Sequence, residues 1–234
     1  GLVGVFALMK RMTLAADSIS HVALPGLGLA FLWKINPLIG GLAALMIGAF
    51  LIWSLENKTR IATETIIGVF FSASLAIGSL LTPGEELLDV LFGGEAIIDQ
   101  GTLIFGIVAC LLIISFILLA KERLVLSLIS AEVAVVTGVN VSLFNLFFLL
   151  VFSLNIILGL QFLGVLLMGS LIIVPAAIAR NLSWSLNSAL AIAATAAVVS
   201  VILGLVISSL HNIPLGPTII SVASVIFFLS LMRS

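Results

Sequence analysis

Charge is what this sequence has least of: nine Lys plus Arg and ten Asp plus Glu among 234 residues, or 8%, against 62% hydrophobic side chains. A water-soluble domain carries roughly 25% charged residues and needs polar cover over its surface, so a soluble globular fold is excluded. Nine cations and a formal net charge of -1 cannot build the extended phosphate-binding surface that a nucleic acid needs, which argues against such a partner. Cysteine is nearly absent. The single Cys110 lies inside an apolar run, so neither a disulfide framework nor a Cys-based metal cluster can form. Histidine occurs twice, as His21 and His211 in unlike settings, and the chain has no H-E-x-x-H pair, which argues against an intramembrane metalloprotease. A G-x-x-x-x-G-K-[ST] loop is missing too, so the chain cannot bind and split ATP by that route. No cleavable signal, internal repeat or soluble domain is visible.

What is present is long apolar runs. Uninterrupted stretches bounded by charge, Pro or Gly predict a stub at 1–9 and spans at about 13–33, 37–53, 61–82, 101–120, 141–160, 162–179, 185–210 and 216–232. The fold class this implies is an all-α polytopic bundle of about eight full spans plus a partial one, forming a single transmembrane domain over 1–234. The 141–179 stretch is too long for one crossing, so a tight turn is expected near Gly159, Gln161 and Gly164. The chain opens at Gly1 rather than Met, inside an apolar run, which suggests that part of the first span precedes it.

Alternating the spans puts Lys10, Arg11, Lys58, Arg60, Lys121, Arg123, Arg180 and Arg233 on one side and leaves only Lys34 on the other. The positive-inside rule makes the first side cytoplasmic, the C-terminus included. Five of the ten acids, Glu85, Glu86, Asp89, Glu95 and Asp99, fall in the outer 83–100 loop, where LFGG at 91–94 is apolar enough to dip into the membrane edge. The other long connection, 121–140, is cytoplasmic and contains a short amphipathic helix from about Ser130 to Gly138.

Ionisable groups inside spans are costly and tend to face a bundle interior or a wet path. Asp17 and His21 are four residues apart, hence on one helix face, and a carboxylate with an imidazole suits zinc, manganese or iron. The structural alternative is that Asp17 caps or steadies the first turn of its helix while His21 bonds a neighbouring helix. Glu64, one turn into its span, completes an acidic site, serves as a gate residue, or is a half-wet charge favoured by the helix dipole. His211 reads as a turn residue, Asn145, Asn155 and Gln161 as interhelical hydrogen-bond partners, and Cys110 as a small packer. Pro175 bends its span or frees a carbonyl.

The segments KRMTLAADSISHVALPG (10–26), TRIATETIIGVFFSASLAIG (59–78), LFGG (91–94), SAEVAVVTGVNV (130–141), LGVLLMGSLIIVPAAIAR (163–180) and IPLGPTIISVASVIFFLS (213–230) together resemble the membrane permease subunit of the zinc and manganese uptake group of ABC importers. The resemblance implies a type II importer-like permease, not itself an enzyme, working as a homodimer in a prokaryotic cell membrane. Its partners would be cytoplasmic ATP-binding subunits and an extracytoplasmic metal-binding protein docking on the acidic loop. No cofactor would be bound permanently; zinc, manganese or iron would be the cargo. By the same resemblance Asp17 and His21 contact the metal, and Glu64 stands where the family usually has Asp. Ser130, Ala131, Glu132 and Gly138 belong to a coupling helix that docks on the ATPase. The alternative is an ion-coupled transporter or channel working without an ATPase, with Asp17 and Glu64 as proton or cation sites. It predicts inverted repeats, which are not visible, and gives 121–140 no task.

Overall fold

The computed structural model describes residues 1–82, 84, 90–93, 100–129 and 140–232, and among these the regular elements are helical. They are α1 (Leu2–Met9), α2 (Thr13–Ser20), a 3-10 turn (His21–Ala23), α3 (Leu24–Trp33), α4 (Pro37–Lys58), α5 (Thr63–Leu81), α6 (Gln100–Ile129), α7 (Val141–Leu182), α8 (Leu186–His211) and α9 (Leu215–Leu231). Seven described stretches are long and apolar enough to cross a membrane, and the 17-residue α9 is a shorter apolar helix. The spans predicted from hydropathy are thus present. Two run on past their predicted ends: α4 continues to Lys58 and α6 to Ile129. Charges such as Lys121, Glu122 and Arg123 end an apolar run but are good helix formers, so they do not end the helix. The acidic residues of the 83–100 loop and the coupling residues Ser130, Ala131, Glu132 and Gly138 lie outside the described residues.

At 1.5 Å per residue, the 42-residue α7 would be roughly 63 Å long if straight, twice a bilayer core. It instead reverses. Asn145 near its start bonds Lys10, while Arg180 and Ser183 at its end border the same cavity as Arg11, so both ends meet one corner of the bundle. The reversal is at Gly164, where φ is 71° and ψ 171°, a backbone region that essentially only glycine occupies. A Cβ there would lie 2.4 Å from both the Gly93 nitrogen and the Leu91 carbonyl oxygen, so residues 91–93 seat against the hairpin.

The hairpin is the centre of the molecule, touching α1, α2, α4, α6, α8 and α9. Buried Phe148, Phe152, Ile156, Ile157 and Ile172 of α7 meet Phe6, Leu24, Leu45 and Ile52 in one core, while large apolar residues such as Val69, Leu80, Leu119 and Phe228 stay exposed for lipid. Because lipid is as apolar as Leu, helices here associate through close packing rather than hydrophobic burial. Between α3 and α4 the backbones touch: a Cβ on Gly26 would lie 2.1 Å from the Gly40 carbonyl oxygen, and one on Gly40 would lie 2.2 Å from that of Gly26.

Of the described basic residues, Lys10, Arg11, Lys58, Lys121 and Arg180 gather at one end, on the side where the alternation puts them. Trp53 Nε1 donates to the Ser142 carbonyl at 2.8 Å, Lys121 Nζ to Asn187 Oδ1 at 2.8 Å, and Arg11 shares a cavity with Arg180. The ends of α1, α4 and α7, the start of α8 and the charged part of α6 therefore form one basic end of the bundle.

Candidate metal-ion site

The span carrying Asp17 is not one helix. Pro25 has no N–H for the His21 carbonyl, and its ring would crowd that carbonyl in a continuous helix. The chain therefore tightens into the 3-10 turn, where the Leu24 N–H bonds the His21 oxygen, and α3 starts with its proline in the first turn. Asp17 lies midway along α2 and His21 opens the turn. Asp17 is half-buried and pressed against the second arm of α7: a Cβ on Gly169 would lie 2.7 Å from Asp17 Cα and 2.9 Å from its Oδ1. Ser20 ties this region to the hairpin, its hydroxyl lying 2.6 Å from the Asp17 carbonyl and 3.0 Å from that of Val165.

His21 is only 4% exposed, with the Phe71 ring of α5 edge-on at 5.0 Å. Its Nδ1 has no hydrogen-bond partner among the described residues. An unmatched buried polar atom costs about 1–3 kcal/mol, so this imidazole gains from any ligand that takes its nitrogen. The structural alternative does not match on either count. Met12, not Asp17, stands at the N-cap of α2, and the neighbour facing His21 is an apolar ring. A carboxylate and an imidazole one turn apart suit a borderline divalent ion.

Glu64 does not join them. It is exposed in the first turn of α5, and among the described residues no three His, Cys, Asp or Glu side chains come together. His211 is not in the turn expected of it: it is the last residue of α8, exposed, with Nδ1 3.2 Å from the Ile207 carbonyl one helical turn back. Cys110 departs from its expected packing role. It is exposed on α6, bordering an apolar groove with Leu38 and Ile157.

A polar cluster at the basic end escapes the sequence reading. Lys10 Nζ donates to Asn145 Oδ1, and Asn145 Nδ2 donates to Glu56 Oε2 at 2.5 Å. Glu56 Oε1 accepts from the Thr63 hydroxyl at 2.8 Å. The ammonium also sits 4.7 Å from the Phe148 ring centre. Burial pushes the Lys10 ammonium down to about 8, against the pull of the Glu56 carboxylate. Asn145 thus bonds between helices as expected. Glu56 is missed because the predicted end of its span at residue 53 leaves it in a loop; the signal is Leu55-Glu56-Asn57-Lys58, a run without a helix breaker.

The chain is 30% identical to the manganese transport system membrane protein MntC of Listeria monocytogenes, over 99% of this chain and 84% of that protein. It is 28% identical to the high-affinity zinc uptake system membrane protein ZnuB of Haemophilus influenzae, over 99% of this chain and 90% of that one. Its fold matches a chain of PsaBC from Streptococcus pneumoniae, solved in complex with Fab, at a TM-score of 0.85 and 26% identity, covering 98% of this chain and 84% of that one. An inward-facing putative metal-chelate type ABC transporter, 17% identical at a TM-score of 0.70, shares the fold. Residues 1–234 match the ABC 3 transport family from end to end, and the chain belongs to that family.

Proposed function

We infer that Asp17 and His21 contact the cargo of this permease, a divalent transition-metal ion of the zinc or manganese kind. As a member of its family the chain is the membrane-spanning subunit of an ATP-driven metal importer, with ATP hydrolysis in a separate subunit. The observation that carries the site is the orphaned His21 Nδ1, buried one turn from a half-buried carboxylate. Two ligands are too few for an ion that prefers four to six, so the rest come from a second copy of the chain, water or a delivering protein. A homodimer meeting across the path would double the set to two carboxylates and two imidazoles.

The basic end faces the cytoplasm by the positive-inside rule, which places the C-terminus there. Residues 130–138, with Ser130, Ala131, Glu132 and Gly138, couple to the ATPase from that side. The acidic loop 83–100 receives the binding protein on the other. Glu64, exposed at the entrance of α5, is a secondary contact for the departing ion. Its charge sits at a helix N-terminus, where a carboxylate is favoured.

The test is uptake of labelled zinc and manganese by the complete importer in proteoliposomes. Asp17→Ala and His21→Ala are each expected to lower uptake at least about tenfold, the scale at which metal sites respond to altered ligation, with ATPase co-purification unchanged. Unchanged uptake in both variants would remove the assignment.

A further inference from the structure

The basic end holds a cavity of about 590 Å³ that metal passage does not use, between the end of α1, the end of α7 and the start of α8. Two guanidinium-bearing residues, Arg11 and Arg180, border it, and its lining contains no Asp or Glu. Both are exposed, and neither guanidinium has an ion-pair or hydrogen-bond partner among the described residues. Below them the wall is apolar, formed by Val5, Leu8, Ala176 and Ala189. At the rim Trp184 is fully exposed, as an indole is when it belongs to the membrane–water boundary. The rim also includes Ser185, which caps the 26-residue α8, so the first-turn amides of that helix add positive potential at the same place.

The two chemistries are stacked in the order of a lipid: cations without a counter-charge among the described residues, an indole beside them, and an aliphatic wall below. Basic pockets between helix ends on the cytoplasmic side are suited to anionic headgroups. Arg11 holds the left-handed position of a Schellman turn, φ 58°, with its N–H bonded to Leu8 and that of Met12 bonded to Ala7, a position usually given to glycine. Lys34 and Asn212 take the same conformation at the ends of α3 and α8.

We propose that this cavity binds an anionic phospholipid of the cytoplasmic leaflet, the two arginines taking the phosphodiester and the apolar wall an acyl chain. The site is independent of the metal-ion pair, and its test reads lipid rather than uptake. The detergent-purified importer complex is titrated with phosphatidylglycerol or phosphatidylcholine of the same chains, and retained lipid is counted by native mass spectrometry. Wild type is expected to retain phosphatidylglycerol at least about fivefold better, and R11Q/R180Q to bring the ratio below about twofold, in line with the contribution of each basic residue at an anionic surface. R11G, which relieves the turn, is expected to lower the ratio without lowering the melting temperature, and it reads the site even if the double variant does not assemble. R11K/R180K, which keeps the charge, is expected to retain most of the preference. Equal retention of the two lipids by wild type would overturn the proposal, as would a preference that survives R11Q/R180Q. Displacement of phosphatidylglycerol by millimolar inorganic phosphate would assign the cavity to a soluble anion instead. Loss of the ATPase subunit from R11Q/R180Q with lipid preference intact would assign it to a protein contact.

Discussion

Asp17 and His21 owe their setting to residues without reactive groups. Pro25 breaks the helix at His21, and Gly169 lets α7 press on Asp17 with no side chain between them. Gly169→Ala would place a methyl group 2.9 Å from Asp17 Oδ1 and force α2 and α7 apart, at about 1–3 kcal/mol of stability. Metal uptake should fall roughly ten- to hundredfold, the response to a site displaced by a fraction of an ångström to one ångström. Gly68→Ala, on α5 with nothing within 4 Å of the added carbon, should leave uptake unaltered; equal loss in both would dissociate Gly169 from the site. Lys10 offers a different handle. Its folded-state value of about 8 lies below the ordinary 10.5, so between those two pH values the unfolded chain holds more proton on Lys10 than the folded one. Stability from this group therefore rises with pH across that window and is flat below it. The melting temperature of wild type minus that of Lys10→Met, measured in detergent, should increase from about pH 8 to pH 10; a pH-independent difference would contradict the burial of this ammonium.

At the scale of elements, the α7 hairpin depends on one backbone conformation. Gly164→Ala puts a side chain into a region where non-glycine residues cost about 1–3 kcal/mol and drives its Cβ towards Leu91 and Gly93. A clear fall in melting temperature is expected, whereas Gly106→Ala on α6, where the added methyl meets nothing within 4 Å and the helix gains propensity, should leave it unchanged or slightly higher. The turn was legible beforehand because 39 residues cannot make one crossing, and the spans because each is bounded by charge, proline or glycine. The ends of α4 and α6 were not, since Glu, Lys and Arg leave the membrane without leaving the helix. The same distinction applies to the polar sites. Asp17 and His21 are four apart, so periodicity alone pairs them. Lys10 and Asn145 are 135 residues apart, and Glu56 and Asn145 are 89 apart, so only the packing of α4 against α7 reveals their cluster. The Gly169 contact is hidden for the same reason, because a glycine carries no chemical signature of what lies against it.

For the whole molecule the question is how the two ligands per chain that we propose would serve one ion. The α3–α4 pair, with backbones in contact at Gly26 and Gly40, has only the methyl groups of Ala30 and Ala44 beside that crossing, so it is suited to move as a body when the ATPase subunits close. Such a motion in a homodimer would bring two Asp17–His21 pairs towards one another or separate them, changing the number of donors around the ion without altering either pair. The alternative is that each protomer carries ions alone with water completing the shell. The two differ in how they respond to damage on one side only. In a tandem fusion of two copies, with His21→Ala in one half, shared coordination predicts uptake close to that of the doubly substituted fusion, a fall of at least about tenfold. Independent paths predict that about half of wild-type uptake remains, since the intact half works on unaided. Measured in proteoliposomes with the ATPase and binding protein present, near-complete loss from a single substituted half is the outcome expected of the proposed shared site.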